Sequence, residues 1–150
     1  MNSYQEFAKY LDQLLGGVHA VRIAVSGYMP LSVEEIGSSG DGYRLVSLCH
    51  YGEQNGDLMR DPDIVFLFHN LPDGMAAEPV SFRNDYLGIV QEVYRYDEMG
   101  RRTYVVSSLK QNLNEFAESW FANLKDQGFF ASTAVREILS PSFPRSLDGT

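Results

Sequence analysis

Acidic residues and histidines, whose side chains can bind metals or transfer protons, are concentrated in and beside one predicted turn. Four acids fall within residues 53–63, and His50 and His69 stand at the ends of the flanking apolar segments. Carboxylates and imidazoles bind divalent metals where they converge. A metal-dependent hydrolase that uses His50, Asp57, His69 and the rest of loop 57–63 is therefore one hypothesis. The acids match no calcium-loop spacing and no His-Glu-x-x-His helix is present, so a solvated turn capped by aspartates is the preferred interpretation.

A second candidate site combines two short charged segments, one just before a predicted strand and one just after the next. Its residues are Arg60, Asp61, Asp63, Arg83, Asn84 and Asp85. If the two segments lie side by side, these side chains form an ion-pair cluster at one end of a sheet, and we prefer this structural interpretation. The alternative is a shallow recognition site, in which arginine forks are offered to a carboxylate or phosphate of a partner.

Net charge and motif content narrow the function classes. The formal net charge of −8 disfavours binding to nucleic acid or to anionic lipid. Cys49 is the only cysteine, so no intrachain disulfide forms, and a buried, inert thiol is expected there. No phosphate loop, dinucleotide fingerprint, signal peptide or membrane-spanning run is recognisable. We expect a cytoplasmic protein without a cofactor.

The elements that must position these side chains follow from the hydrophobic pattern. Residues 64–68 are five consecutive large apolar residues, which predicts a strand buried on both faces at the centre of a sheet. Ser3 and Ser108 each begin a capping-box pattern, which predicts an N-terminal helix and a long helix over residues 108–127. One long strand is predicted over residues 86–96. A short helix is predicted over residues 132–139, with Val135, Ile138 and Leu139 facing inward.

The order of these elements predicts a single α+β domain over residues 1–150. Its antiparallel meander sheet has about six or seven strands, and the N-terminal helix and the long C-terminal helix pack on one face. Residues 140–150 contain Pro141 and Pro144, and we expect them to form a loosely held tail.

Two segments of the chain resemble a known group of proteins. They are residues 56–63, Gly-Asp-Leu-Met-Arg-Asp-Pro-Asp, and residues 78–88, Glu-Pro-Val-Ser-Phe-Arg-Asn-Asp-Tyr-Leu-Gly. This pattern is similar to small bacterial domains of unknown function that are often carried on mobile elements, and the similarity spans about residues 40–125. The resemblance implies an accessory protein and supplies no functional residues.

Three hypotheses of function follow. The preferred one is a non-enzymatic accessory protein that binds another macromolecule, with a protein as the partner. In a specific version, its acids imitate nucleic acid and block a DNA-binding or defence protein. The second is the metal-dependent hydrolase. The third is a homodimer formed by an edge strand near Pro30 or by the aromatic hairpin that carries Tyr94, Tyr96 and Tyr104.

Overall fold

The computed structural model describes residues 2–140. Within them lie two helices, α1 (Ser3–Leu15) and α2 (Ser107–Gln127), and nine strands. The strands are β1 (Ala20–Ala24), β2 (Leu31–Ser38), β3 (Arg44–Gln54), β4 (Asp57–Leu71), β5 (Gly74–Asn84), β6 (Ile89–Glu92), β7 (Tyr94–Tyr96), β8 (Arg102–Val105) and β9 (Val135–Ile138).

Seven of these strands form one antiparallel sheet, in the order β6-β5-β4-β3-β2-β1-β9, and β7 and β8 pair with each other. The predicted α+β class and the antiparallel meander are confirmed. Consecutive strands from β1 to β6 are sheet neighbours, as the short, glycine-containing turns between them favour.

The predicted central strand lies in the core. Residues 64–68 are all buried; residues 64–67 pair with β3 on one side, and residues 64–68 pair with β5 on the other. The Phe66 ring lies 5.9 Å from Phe7 on α1 and 5.7 Å from Phe121 on α2, measured between ring centroids. Both helices therefore bury their apolar faces on the same side of this strand.

The two helices lie side by side and run in the same direction. Asn114 donates to the Tyr4 hydroxyl in the first turn of α1, and Lys125 donates to the Tyr10 hydroxyl further along both helices. The predicted start of α1 is displaced by one residue, because Asn2 is the N-cap and forms the capping box. The predicted capping box of α2 is wrong: Val106 occupies the N-cap and no side chain caps it.

The short helix predicted over residues 132–139 is wrong. Residues 135–138 form β9, which pairs with β1 at the edge of the sheet. Val135 and Ile138 are 69% and 72% exposed, so they do not point inward as the helical pattern required. An isolated helix of eight residues is marginal in water, whereas residues 135–138 gain backbone hydrogen bonds by pairing with β1. Residues 141–150, most of the predicted tail, lie outside the described residues.

The long strand predicted over residues 86–96 is divided in two. The Val93 amide still donates to the Val80 carbonyl of β5, but the Val93 carbonyl accepts from the Val106 amide, which follows β8. After this residue, β7 leaves the large sheet and pairs with β8. The tip of this hairpin meets the β2–β3 turn, where an added Cβ on Gly100 would lie 2.7 Å from the Gly40 carbonyl oxygen. Side chains at these two glycines would separate the hairpin from the turn.

Strand β2, which follows Pro30, lies inside the sheet between β1 and β3. The homodimer route through an edge strand near Pro30 is therefore wrong. In the described part of the chain, the edges of the large sheet are β6 and β9. No helix within residues 2–140 has both the length and the apolar character needed to cross a bilayer.

Candidate functional site

The structure brings together the six charged and amide residues that the sequence singled out. The Arg60 amide donates to the Asp85 carboxylate at 2.8 Å, and the Asp85 amide donates back to the Arg60 carbonyl at 2.9 Å. Arg83 Nε donates to the same carboxylate at 2.6 Å. Burial raises the pKa of Asp85, but these hydrogen bonds and the two guanidinium charges outweigh it, so the net pKa is lowered.

The remaining members complete a cluster between β4 and the end of β5. Asn84 donates to the Asp61 carboxylate at 2.8 Å, and Arg60 Nε lies 3.7 Å from Asp63. Asp63 is buried and also accepts from the Ser47 hydroxyl at 2.6 Å. Ion pairs form between Arg60 and Asp63 and between Arg83 and Asp85. Hydrogen bonds from Asn84 to Asp61 and from the Arg60 amide to Asp85 join the two segments, which are about twenty residues apart in sequence.

Beyond this cluster, β3 and β4 continue as a two-stranded extension that we call the braced arm, residues 51–54 and 57–60. The sequence predicted an acidic loop here, but the strands pair as far as Gln54 and Asp57. The Tyr86 hydroxyl covers Gly52 so closely that an added Cβ would lie 2.3 Å from it. The segment after β5 therefore holds the arm from the side. Leu58 of the arm is 65% exposed, and Leu87 of the segment after β5 is 68% exposed.

The three residues of the metal hypothesis do not converge. Asp57 and His69 belong to the same strand, β4, whose rise of about 3.3 Å per residue separates them by tens of ångströms. His50 lies under α2, with its ring 5.6 Å from Trp120. Within residues 2–140, no group of three or more His, Cys, Asp or Glu is placed to hold a metal ion. The correction follows from the length of β4, which the sequence predicted as a loop and a shorter strand.

His50 instead is a buried part of the core, and its charge state links pH to stability. Burial lowers the pKa of His50 below its ordinary value near 6.5. Its Nδ1 lies 3.2 Å from the Pro30 carbonyl oxygen, and its ring packs against Phe129 at 5.5 Å. The unfolded chain therefore binds a proton on this residue at a pH where the folded chain does not.

We expect His50→Asn to reduce the slope with which the free energy of unfolding falls between pH 6.5 and pH 5. As pH falls below 6.5, protonation of the unfolded state lowers the free energy of unfolding, by up to about 1.4 kcal/mol per pH unit. Asparagine can still donate to Pro30 but cannot be protonated. Urea unfolding across this pH range measures the slope for both proteins. His19 and His69 are present in both, so an unchanged slope contradicts the role of His50.

A charged network around Glu78 was not found from the sequence. Glu78 is 3% exposed, and its carboxylate accepts from the Tyr94 hydroxyl and from Lys110 Nζ at 3.0 Å. His69 Nε2 lies 3.1 Å from the other oxygen, and Lys110 also donates to the Tyr94 hydroxyl at 3.1 Å. These residues come from β4, β5, β7 and α2, and no spacing rule connects them. The only signal was an acidic residue inside a strand of small and apolar residues.

The electrostatics of this network favour a structural role. Burial raises the pKa of Glu78, but hydrogen bonds from Tyr94, His69 and Lys110 outweigh it and the net pKa is lowered. Burial and the neighbouring Glu78 carboxylate raise the pKa of Tyr94, so its phenol stays a donor and is not a base. The network therefore fastens the β7–β8 hairpin and the first turn of α2 to the sheet.

An open groove, which we call the interhelical groove, runs between α1 and α2 and has a volume of about 330 Å³. Phe7 and Phe121 lie in the floor, where their rings stack with centroids 5.4 Å apart. Glu6 from α1 and Glu118 from α2 stand on opposite walls, and Lys125 closes one end by lying over the Tyr10 ring at 4.3 Å.

These features define a class of small α+β protein, with two parallel helices on one side of an antiparallel sheet and a separate hairpin fastened by a buried carboxylate. Residues 2–130 match the family described as Domain of unknown function (DUF6908). The chain belongs to this family, as the resemblance to a domain of unknown function predicted. No curated protein and no solved structure matches the chain.

Proposed function

We propose that this chain is a non-enzymatic module that binds a protein partner through the braced arm, as a cytoplasmic accessory protein of bacteria and their mobile elements. The proposal rests on two exposed apolar side chains: Leu58 of the arm, which is 65% exposed, and Leu87 of the segment that braces the arm, which is 68% exposed. The charged cluster holds this segment and the arm together. Large apolar side chains on an ordered support can form the desolvated centre of a protein interface.

The bracing contacts favour binding because they order the arm before any partner arrives. Asp85 holds the backbone of Arg60, and the Tyr86 hydroxyl donates to the Glu53 carbonyl at 3.4 Å. A surface that is already ordered loses less conformational entropy on association, so more of the contact energy appears as affinity. The charged cluster, for which a recognition site was the alternative interpretation, therefore supports binding by positioning the arm.

A binding function is favoured over a catalytic one because the carboxylates that could act as acids or bases are already hydrogen-bonded within the protein. The carboxylates of Asp85 and Glu78 each accept at least two hydrogen bonds from the protein. The nucleic-acid mimic version needs acids aligned along one face, whereas Lys9 and Lys125 interrupt the acids of the helical face. We therefore propose a protein partner that contacts the apolar side chains of the arm.

Photocrosslinking from the arm tests this proposal. With benzoylphenylalanine in place of Leu58, we expect one discrete protein adduct in the bacterial host. The same probe in place of Ile138, which is equally exposed on β9, should not give that adduct. Once the partner is purified, the Leu58→Ser, Leu87→Ser double variant should weaken its binding by about tenfold or more.

The matched control is Val135→Ser, Ile138→Ser, which removes the same kind of exposed apolar surface from the far edge of the sheet. It should change the dissociation constant by less than about twofold. Identical adducts from both positions, or equal loss of affinity in both double variants, would contradict a binding surface on the arm.

A further inference from the structure

We propose that the interhelical groove is a second binding site, which takes a lysine- or arginine-bearing segment of a partner protein. This site lies on α1 and α2 and shares no residue with the braced arm. It therefore stands independently of the function proposed above.

Two of the three charged residues that line the groove are acids, and the third, Lys125, lies over the Tyr10 ring at one end, so the charges between the walls favour a cationic guest. Glu6 and Glu118 face the groove from opposite helices, and neither has a basic side chain within ion-pair distance among the described residues. Glu118 accepts one hydrogen bond, from the Ser3 hydroxyl. Two carboxylates on either side of one cleft repel each other, and a guanidinium or ammonium group between them relieves that repulsion while gaining charge-assisted hydrogen bonds.

The floor of the groove favours a long side chain that ends in this charge. Phe7 and Phe121 are buried, and only the upper surface of their stacked rings lines the cleft. The methylene stems of lysine and arginine pack on apolar surface while their charged ends reach polar groups. The protein already contains one such arrangement, in which the Lys125 ammonium lies over the Tyr10 ring and donates to its hydroxyl.

Charge complementarity extends beyond the groove itself. The whole chain carries a formal net charge of −8, so its field attracts a basic segment and repels an acidic one at low ionic strength. This general attraction would act at any surface of the protein. The groove is distinguished by placing two acids on opposite walls above an apolar floor, so the two contributions can be separated by changing charge at different positions.

A fluorescein-labelled acetyl-Gly-Arg-Gly-Arg-Gly amide is the probe, titrated with the whole chain at low salt and followed by fluorescence anisotropy. We expect saturable binding that Glu6→Gln, Glu118→Gln weakens by about tenfold. The control, Asp73→Asn, Glu98→Gln, removes the same charge from two exposed positions outside both the groove and the braced arm and should weaken binding by less than about twofold. Thermal unfolding of both variants verifies that they remain folded.

Amide chemical-shift mapping with the same unlabelled peptide locates the contact. Changes confined to residues 3–10 and 118–125 support the groove. An equal loss of affinity in both double variants, shifts spread over the whole surface, or no saturable binding would each overturn the proposal. None of these results bears on Leu58 and Leu87, so failure of the groove is distinguishable from failure of the arm.

Discussion

Replacing Phe66 with alanine is expected to lower the free energy of unfolding by about 3–5 kcal/mol. Phe66 is fully buried in β4 and touches both helices through Phe7 and Phe121. Truncation removes the aromatic contacts and leaves a cavity that neither a paired strand nor two packed helices can readily fill. Because this one ring joins the sheet to both helices, the loss should appear as a cooperative decrease in stability.

Phe116→Ala is the matched control for this prediction. Phe116 lies on α2 and also touches two aromatic rings, those of Phe82 and Trp120, but it is 42% exposed. It therefore buries less area and leaves no closed cavity, so its loss should cost about 1 kcal/mol or less. Urea unfolding followed by circular dichroism measures both. Similar losses for the two variants would show that β4 is not the centre of the core.

Local sequence signals predicted the elements whose pattern was long and unambiguous. Residues 64–68 were assigned to a buried strand because five large apolar residues with β-branched and aromatic members suit little else. The stripe of α2 was equally clear, since Leu113, Phe121 and Leu124 recur at helical spacing and are all buried. The errors fell on residues 86–96 and 132–139, where apolar and polar residues are mixed, so the pattern fits several structures and tertiary hydrogen bonds decide between them.

The candidate site was predictable in part for the same reason. Arg60 and Asp85 lie together because a hairpin connection places β4 beside β5. Charged residues at the same end of two paired strands are then close in space. The Glu78 network was not predictable, since it depends on where the β7–β8 hairpin folds back and on which turn of α2 lies above β5. The interhelical groove depends likewise on the parallel course of the two helices, which no local pattern encodes.

Replacing Glu78 with alanine is expected to lower the free energy of unfolding by about 2–4 kcal/mol at neutral pH. The change removes the carboxylate that accepts from both Tyr94 and Lys110. Because Glu78 and Tyr94 are buried, water does not readily replace this acceptor. The Lys110 side chain is about one-third exposed, so it can recover part of its hydration. This keeps the expected cost below that of stranding a wholly buried charge.

The pH dependence of stability separates loss of the charge from loss of packing. The pKa of Glu78 is lower in the folded chain than its ordinary value near 4.5. The folded state therefore holds the carboxylate ionised where the unfolded state binds a proton. Its stabilising contribution is complete above about pH 4.5 and is lost as pH falls through the lower folded value. Wild type and Glu78→Ala should accordingly converge in stability as the solution becomes more acidic.

Two further variants decide whether the network or the carboxylate alone is responsible. Tyr94→Phe keeps the ring, deletes one donor and should cost about 1 kcal/mol. Glu98→Ala removes an exposed acid from the same hairpin and should leave both stability and its acid dependence unchanged. If Glu78→Ala stays parallel to wild type down to pH 3, the ionised carboxylate does not fasten the hairpin, and packing of Tyr94 against the sheet must do so instead.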